Sequence, residues 1–176
     1  DRQHLLDVPI LTTLVGGTGP AKDQRRPVCY GECKQISPVL IDAATHTYAV
    51  HDGAIQAVDG VYADGVAIAY TASLSTGEFS LSAALTGQLT ADVKGSKTGG
   101  TYVNTTADIV QRIVLERTAL ADIDAAAITQ LNTDSPGVVG LYVSGDSITV
   151  LAALDTLITG AGGYYAVDRA GQLTLG

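Results

Sequence analysis

The spacing of apolar and polar positions changes once along this chain, near residue 100. Before that point apolar residues recur in short alternating runs: Val28 to Tyr30, Gln35 to Ile41, Thr47 to Val50, Ile55 to Tyr62, Gly65 to Tyr70, Glu78 to Leu81 and Leu89 to Lys94. A period of two sends successive side chains to opposite faces, so each run predicts a half-buried strand. The runs are separated by Asp52-Gly53, Asp64-Gly65 and Thr76-Gly77, dipeptides that accept the positive φ of tight turns. Strands at this spacing predict a small antiparallel β-rich domain, barrel or sandwich, over 28–95. Ahead of it, 1–27 reads as an N-terminal arm and loop. Val8 to Val15 is a short apolar run broken by Pro9, and Gly16 to Pro27 reads as exposed loop.

Ser96 to Gly100 reads as a linker, and the period beyond it is near 3.6. Thr105-Thr-Ala-Asp108 has the spacing of a capping box, and Ile109, Val110, Ile113 and Val114 share one face of a helix running to about Arg117. A second helix is expected from Asp124 to Leu131 and a strand from Val138 to Val143. Asp146 or Ser147 is then expected to cap a third helix, Ile148 to Thr159, stopped by Gly160. Tyr164 to Val167 and Gln172 to Leu175, joined across Asp168 to Gly171, predict a closing β-hairpin. The predicted class is therefore α+β: the β-rich domain, then a small α+β domain over 101–176 ending in that hairpin.

Composition narrows what such a chain can do. Hydrophobic residues make up 46% but aromatics only 5%, with one Phe and no Trp, so the core must be built from Val, Ile, Leu and Ala. A formal net charge of −8 argues against sequence-specific nucleic-acid binding, which needs clustered Lys and Arg. The only basic cluster, Lys22 to Arg26, contains an Asp and no aromatic, and reads as a solvated loop. No apolar run approaches the ~20 residues of a membrane helix.

The chemical candidates are few. Cys29 and Cys33 lie four residues apart, ~13 Å in an extended strand, so a disulfide would need a tight turn at Gly31. A zinc site would need further ligands from His4, His46 and His51. Two small buried thiols on one strand face are the expected arrangement. Gly145-Asp146-Ser147-Ile148 superficially resembles the nucleophile string of GDS-type esterases. A serine nucleophile needs a base, however, and no His follows His51. Gly16 to Lys22 lacks the Gly-Lys-Ser/Thr ending of a phosphate loop. His51-Asp52 precedes Gly53 in a turn, where Asp more often bonds its own backbone. Asp42, Asp52, Asp59 and Asp64 could supply a glycosidase pair, but sugar clefts usually carry Trp. No catalytic, cofactor-binding or metal residue is assigned, and no cofactor is expected.

One run carries a family resemblance. Pro27-Val28-Cys29-Tyr30-Gly31, then Pro38 to Asp42, Tyr48 to Gly53 and Val58 to Val66, follow in an order that resembles a module of the long tail proteins of siphophages. The likeness continues in Thr106 to Ile113 and Gly162 to Thr174, covering the chain from about Leu6 onward. It implies a tail-tip or baseplate hub protein of phage virions, folded in the bacterial cytoplasm, with other tail proteins as partners and no catalytic residues to transfer. Proteins of that type are longer, and the resemblance implies that they are trimers on the tail axis. The expectation is a non-enzymatic assembly module that is part of a longer chain. A receptor- or glycan-binding tail domain is the second reading, and a cell-wall hydrolase the third.

Overall fold

The computed structural model describes residues 3–16, 22–120, 122–168 and 171–176. These form an α+β chain of antiparallel sheets and three α-helices, in two compact units. The β unit comprises Leu11–Tyr102 and Gly140–Asp146. The helical unit comprises the described residues up to Ile10 together with Val103–Val139 and Ser147–Gly176.

The β unit holds β1 (Val28–Ile36), β2 (Val39–Asp42), β3 (Thr47–Ala49), β4 (Ile55–Ala63), β5 (Val66–Ala67), β6 (Thr71–Ser73), β7 (Glu78–Ser80), β8 (Leu89–Ser96) and β9 (Gly140–Val143). One sheet has the order β5-β4-β8-β1-β9 and the other β2-β3-β7-β6. β1 continues into β2 after two residues, and β5 into β6 after three, so two bent strands pass from one sheet to the other. Pairing then runs in a circuit, β8 to β1–β2, β3, β7, β6–β5, β4 and back to β8, which makes the unit a small barrel. Between β4 and the β5–β6 strand the wall is bonded at both ends, Ile68 N–H to Val61 O at 2.9 Å and Ile55 N–H to Leu74 O at 2.8 Å. In its middle the Tyr70 hydroxyl donates to Val58 O at 2.7 Å. The core holds Cys29, Ile36, Val50, Ile55, Val61, Phe79, Ala91 and Val93.

The strand bends separate the expected strands from the observed ones. Gln35 to Ile41, expected as one strand, is split between the sheets; of Gly65 to Tyr70 only Val66–Ala67 is strand, and Ile68 to Tyr70 form the link to β6. Val28–Ile36, expected to pause after Tyr30, is continuous. The exposed Gln35 sits at φ +55, and its N–H bonds the Asp92 carboxylate at 2.9 Å in place of a ladder partner. The expected arm also differs. Val15 N–H bonds Gln24 O and Arg26 N–H bonds Thr13 O, both at 2.8 Å, so the flanks of the expected loop pair with each other.

In the helical unit, α1 (Thr106–Arg117), α2 (Ala125–Asp134) and α3 (Val150–Ala161) pack with α1 against both others. α3 buries Val150, Ala153, Leu154, Leu157 and Ile158, one stripe of a 3.6-residue helix. β10 (Tyr165–Val167) and β11 (Leu173–Leu175) form the expected hairpin; residues 169–170 of its link lie outside the described ones. No helix among the described residues is long and apolar enough to cross a membrane.

Three expectations are corrected. The strand expected at Val138 to Val143 is Gly140–Val143, and it joins the β unit by pairing with Val28 to Gly31 of β1. The expected linker begins later than Ser96, which ends β8, is fully buried and is followed by a Lys97 N–H bond to Ala54 O at 2.8 Å; Thr98–Gly100 is an exposed 3₁₀ turn, and the β unit continues to Tyr102. The capping box does not form. The Thr105 hydroxyl is buried without a partner, and Asp108 accepts the Asn132 side-chain N–H at 2.8 Å, tying α1 to α2.

Candidate functional site

The turn after β3 gathers the chemistry that the sequence singled out. Val50 and His51 both donate backbone N–H bonds to Gly77 O, at 2.9 and 3.2 Å. Gly77, at φ +67, permits this because a Cβ there would stand 2.5 Å from Gly53 O. The approach drives His51 inward until it is 1% exposed, edge-on to the Tyr30 ring at 5.6 Å. There the Cys29 backbone N–H donates to His51 Nδ1 at 3.0 Å.

That bond fixes the imidazole. Nδ1 gives its lone pair to Cys29, so the ring proton sits on Nε2, which faces Asp52 Oδ1 at 3.6 Å. The other Asp52 oxygen accepts the Thr13 hydroxyl at 3.1 Å. A carboxylate beside an imidazole orients a base in hydrolases, but there the second ring nitrogen is open to the substrate. Here a backbone amide occupies it, and the pair ties the β3–β4 turn to the start of β1.

The other carboxylates each have their own partners. Asp42 accepts the Thr45 hydroxyl at 2.7 Å and Ala44 N–H at 2.9 Å. The Thr45 bond first, and the backbone bond second, hold its carboxyl below the usual aspartate range. Asp59 pairs with Lys94 at 3.0 Å, which raises the lysine above its ordinary value, and Asp64 accepts Gln88 N–H at 2.9 Å. His46, at φ +50, is a turn residue whose carbonyl accepts Leu81 N–H at 3.1 Å. Lys22 to Arg25 are exposed, as expected of a solvated loop, while two side chains of the cluster bond the fold: Arg25 donates to Leu11 O, and Arg26 pairs with Glu78 and donates to Thr76 O. Residues 17–21 of the Gly-rich loop lie outside the described ones.

Neither Asp146 nor Ser147 caps α3. The Ser147 hydroxyl lies 3.2 Å from Ile148 O, and the cap is Thr149, whose side chain accepts Ala152 N–H at 3.2 Å. The reason is tertiary. Ile10 N–H bonds Ile148 O and Val150 N–H bonds Val8 O, which keeps the chain extended as far as Thr149.

Among the described residues, no group of three or more His, Cys, Asp or Glu is placed to hold a metal ion. Cys29 and Cys33 are both free thiols in the barrel core. Sequence reasoning missed a cleft of about 290 Å³ in the helical unit, lined by Asp155, Ile158, Thr159, Gly163, Tyr164 and Tyr165. The Tyr165 hydroxyl donates to Asp155 Oδ1 at 2.6 Å, while the Tyr164 ring is 67% exposed. Burial first, and then this bond, push the Tyr165 phenol up from its ordinary value. The available signal was Asp155, a charge inside the otherwise apolar or small α3 sequence. A second cleft, about 160 Å³, lies on β3, β6 and β7 and includes Thr71, Ser73 and Glu78. No protein-family model, curated protein or solved structure matches this chain.

Proposed function

We propose that this chain is a structural, non-enzymatic module of a bacteriophage tail tip or baseplate, a hub-type part of a longer virion protein that works by protein–protein assembly. The observation that carries this reading is where the resembling residues lie. Val28 to Gly31, Tyr48 to Gly53 and Val58 to Val66 are spent on the barrel itself: the His51 bond to Cys29, the Gly77 approach and the Asp64 turn. A motif used up in holding a frame suits a scaffold better than a reaction centre. In the longer protein the module belongs to a ring-like trimer on the tail axis, with Val28 to Lys94 near the contacts and other tail proteins as partners.

The test is immunogold labelling of phage particles with antibodies raised against the chain, combined with light scattering of the longer protein. Label confined to the tail tip and a trimeric mass support the reading. Unlabelled virions, or hydrolysis of cell-wall glycan that is lost in Asp52→Asn, overturn it.

The alternative is a receptor- or glycan-binding tail domain, favoured by one feature: an exposed Tyr164 ring beside Asp155 and Thr159 can stack on a sugar while the polar groups take its hydroxyls. Binding of host surface polysaccharide that is abolished by Tyr164→Ala is the result that selects it.

A further inference from the structure

We propose that Cys29 and Cys33 form a dithiol modification site, which small-molecule disulfides convert to an intramolecular Cys29–Cys33 bridge. The inference stands apart from the assembly reading and rests on how β1 departs from an extended strand. A regular strand carries residues three apart to about 10 Å, out of reach of one side chain. Yet Cys33 Sγ lies 3.6 Å from Tyr30 O. The strand is bent between them at Gly31, which has φ +69.

Where the sulfur comes to rest is also marked. Gly31 pairs with Gly140 of β9, and a Cβ on Gly140 would stand 2.8 Å from Cys33 Sγ. Cys33 Sγ therefore lies against Gly140, in the space left by its missing side chain. Gly31 is two residues from Cys29 and has the same parity in the strand, so the sulfur has travelled back along the face that carries Cys29. Both cysteines belong to the same core cluster. The neighbouring Cys33 side chain first, and burial second, hold the Cys29 thiol well above its ordinary range.

The two sulfurs differ in access, which sets the order of events. Cys29 is fully buried and Cys33 is 7% exposed. The Cys33 thiolate attacks a disulfide RSSR, forming Cys33–S–S–R and releasing one RSH after protonation. Cys29 then gives up its proton and attacks the Cys33 sulfur, expelling the second RSH. Two protein thiols are oxidised by two electrons, and one RSSR is reduced to two RSH.

The test uses the whole folded chain and oxidised glutathione. The expected product is a monomer lighter by two hydrogens, with no thiol titratable in denaturant, a peptide joining residues 29 and 33, and both thiols restored by dithiothreitol. Cys29→Ser should stop at a glutathione adduct on Cys33, and Cys33→Ser should stay unmodified while circular dichroism reports it folded. Two thiols that persist in the folded chain while the denatured chain oxidises overturn the proposal. So does a bridge between chains, or a Cys33 adduct that survives with Cys29 present.

Discussion

In the helical unit, α3 reaches its core with a stripe of Val150, Ala153, Leu154, Leu157 and Ile158, and its one glycine, Gly160, has open space around it. In the β unit, adjacent strands meet where side chains are missing: a Cβ on Gly95 would collide with the Cys29 carbonyl, and one on Gly140 with the Glu32 carbonyl. One unit is organised by what its helices bury. The other is organised equally by what its strands leave out, together with single polar bonds such as that from Cys29 to His51. Helical burial can be repacked by small adjustments of side chains, whereas a backbone contact inside a hydrogen-bonded ladder leaves nothing flexible to move.

The largest effect should therefore come from a one-carbon change. Gly95→Ala should destabilise the chain by about 4 kcal/mol or more, because neighbouring backbone must shift. Gly160→Ala, in α3 with nothing within 4 Å of the added Cβ, should stabilise by about 0.5–1 kcal/mol. Urea unfolding of both variants checks the contrast, and two effects of the same sign would break the comparison.

A smaller loss is expected from His51→Phe, which keeps a buried ring but leaves the Cys29 N–H unpaired. An orphaned buried donor costs about 1–3 kcal/mol. Unfolding midpoints give the size, and faster amide hydrogen exchange at Cys29 identifies the cause. Wild-type exchange at that amide would show that the bond does not hold the turn.

Smaller again are the helix caps. Asp124 accepts Ala126 N–H at 2.9 Å and Thr149 accepts Ala152 N–H at 3.2 Å. Asp124→Ala and Thr149→Ala should each cost about 1 kcal/mol, while Ser147→Ala stays within about 0.5 kcal/mol of wild type. A Ser147→Ala loss equal to that of Thr149→Ala would return the cap to Ser147.

The smallest effect belongs to Asp42 in the β2–β3 turn. Its folded value lies below the ordinary ~3.9, so its contribution is present above that pH and is lost as pH falls through the lowered folded value. Asp42→Asn should remove that part of the acid dependence. An NMR titration of the Asp42 carboxyl with a midpoint at or above the ordinary value would contradict the turn geometry.

Both units were legible to different depths, and the reason is the range of the interactions that define them. Helix faces are written within four residues of one another, so the apolar face of α1, the presence of α2 and the closing hairpin follow from spacing alone. The helix ends were misplaced where tertiary bonds intervene. Thr149 displaced Ser147 because the N-terminal segment keeps the chain extended as far as Thr149, and α3 passes Gly160 to be capped by Gly162, where φ +73 lets one N–H meet two carbonyls. The His51-Asp52 pair was legible as a turn; that His51 Nδ1 would be taken by a backbone amide 22 residues away was not.

By itself, then, the sequence determined the α+β class, the turn positions and the amphipathic faces, because period and turn chemistry are local. The tertiary structure alone decided that two strands bend to close a barrel, that Gly140–Val143 leaves its sequence neighbours to pair with β1, and that Cys33 Sγ comes to rest against Gly140. Those outcomes depend on which distant backbones meet, and pairing between segments more than a hundred residues apart leaves no local period for a sequence to display.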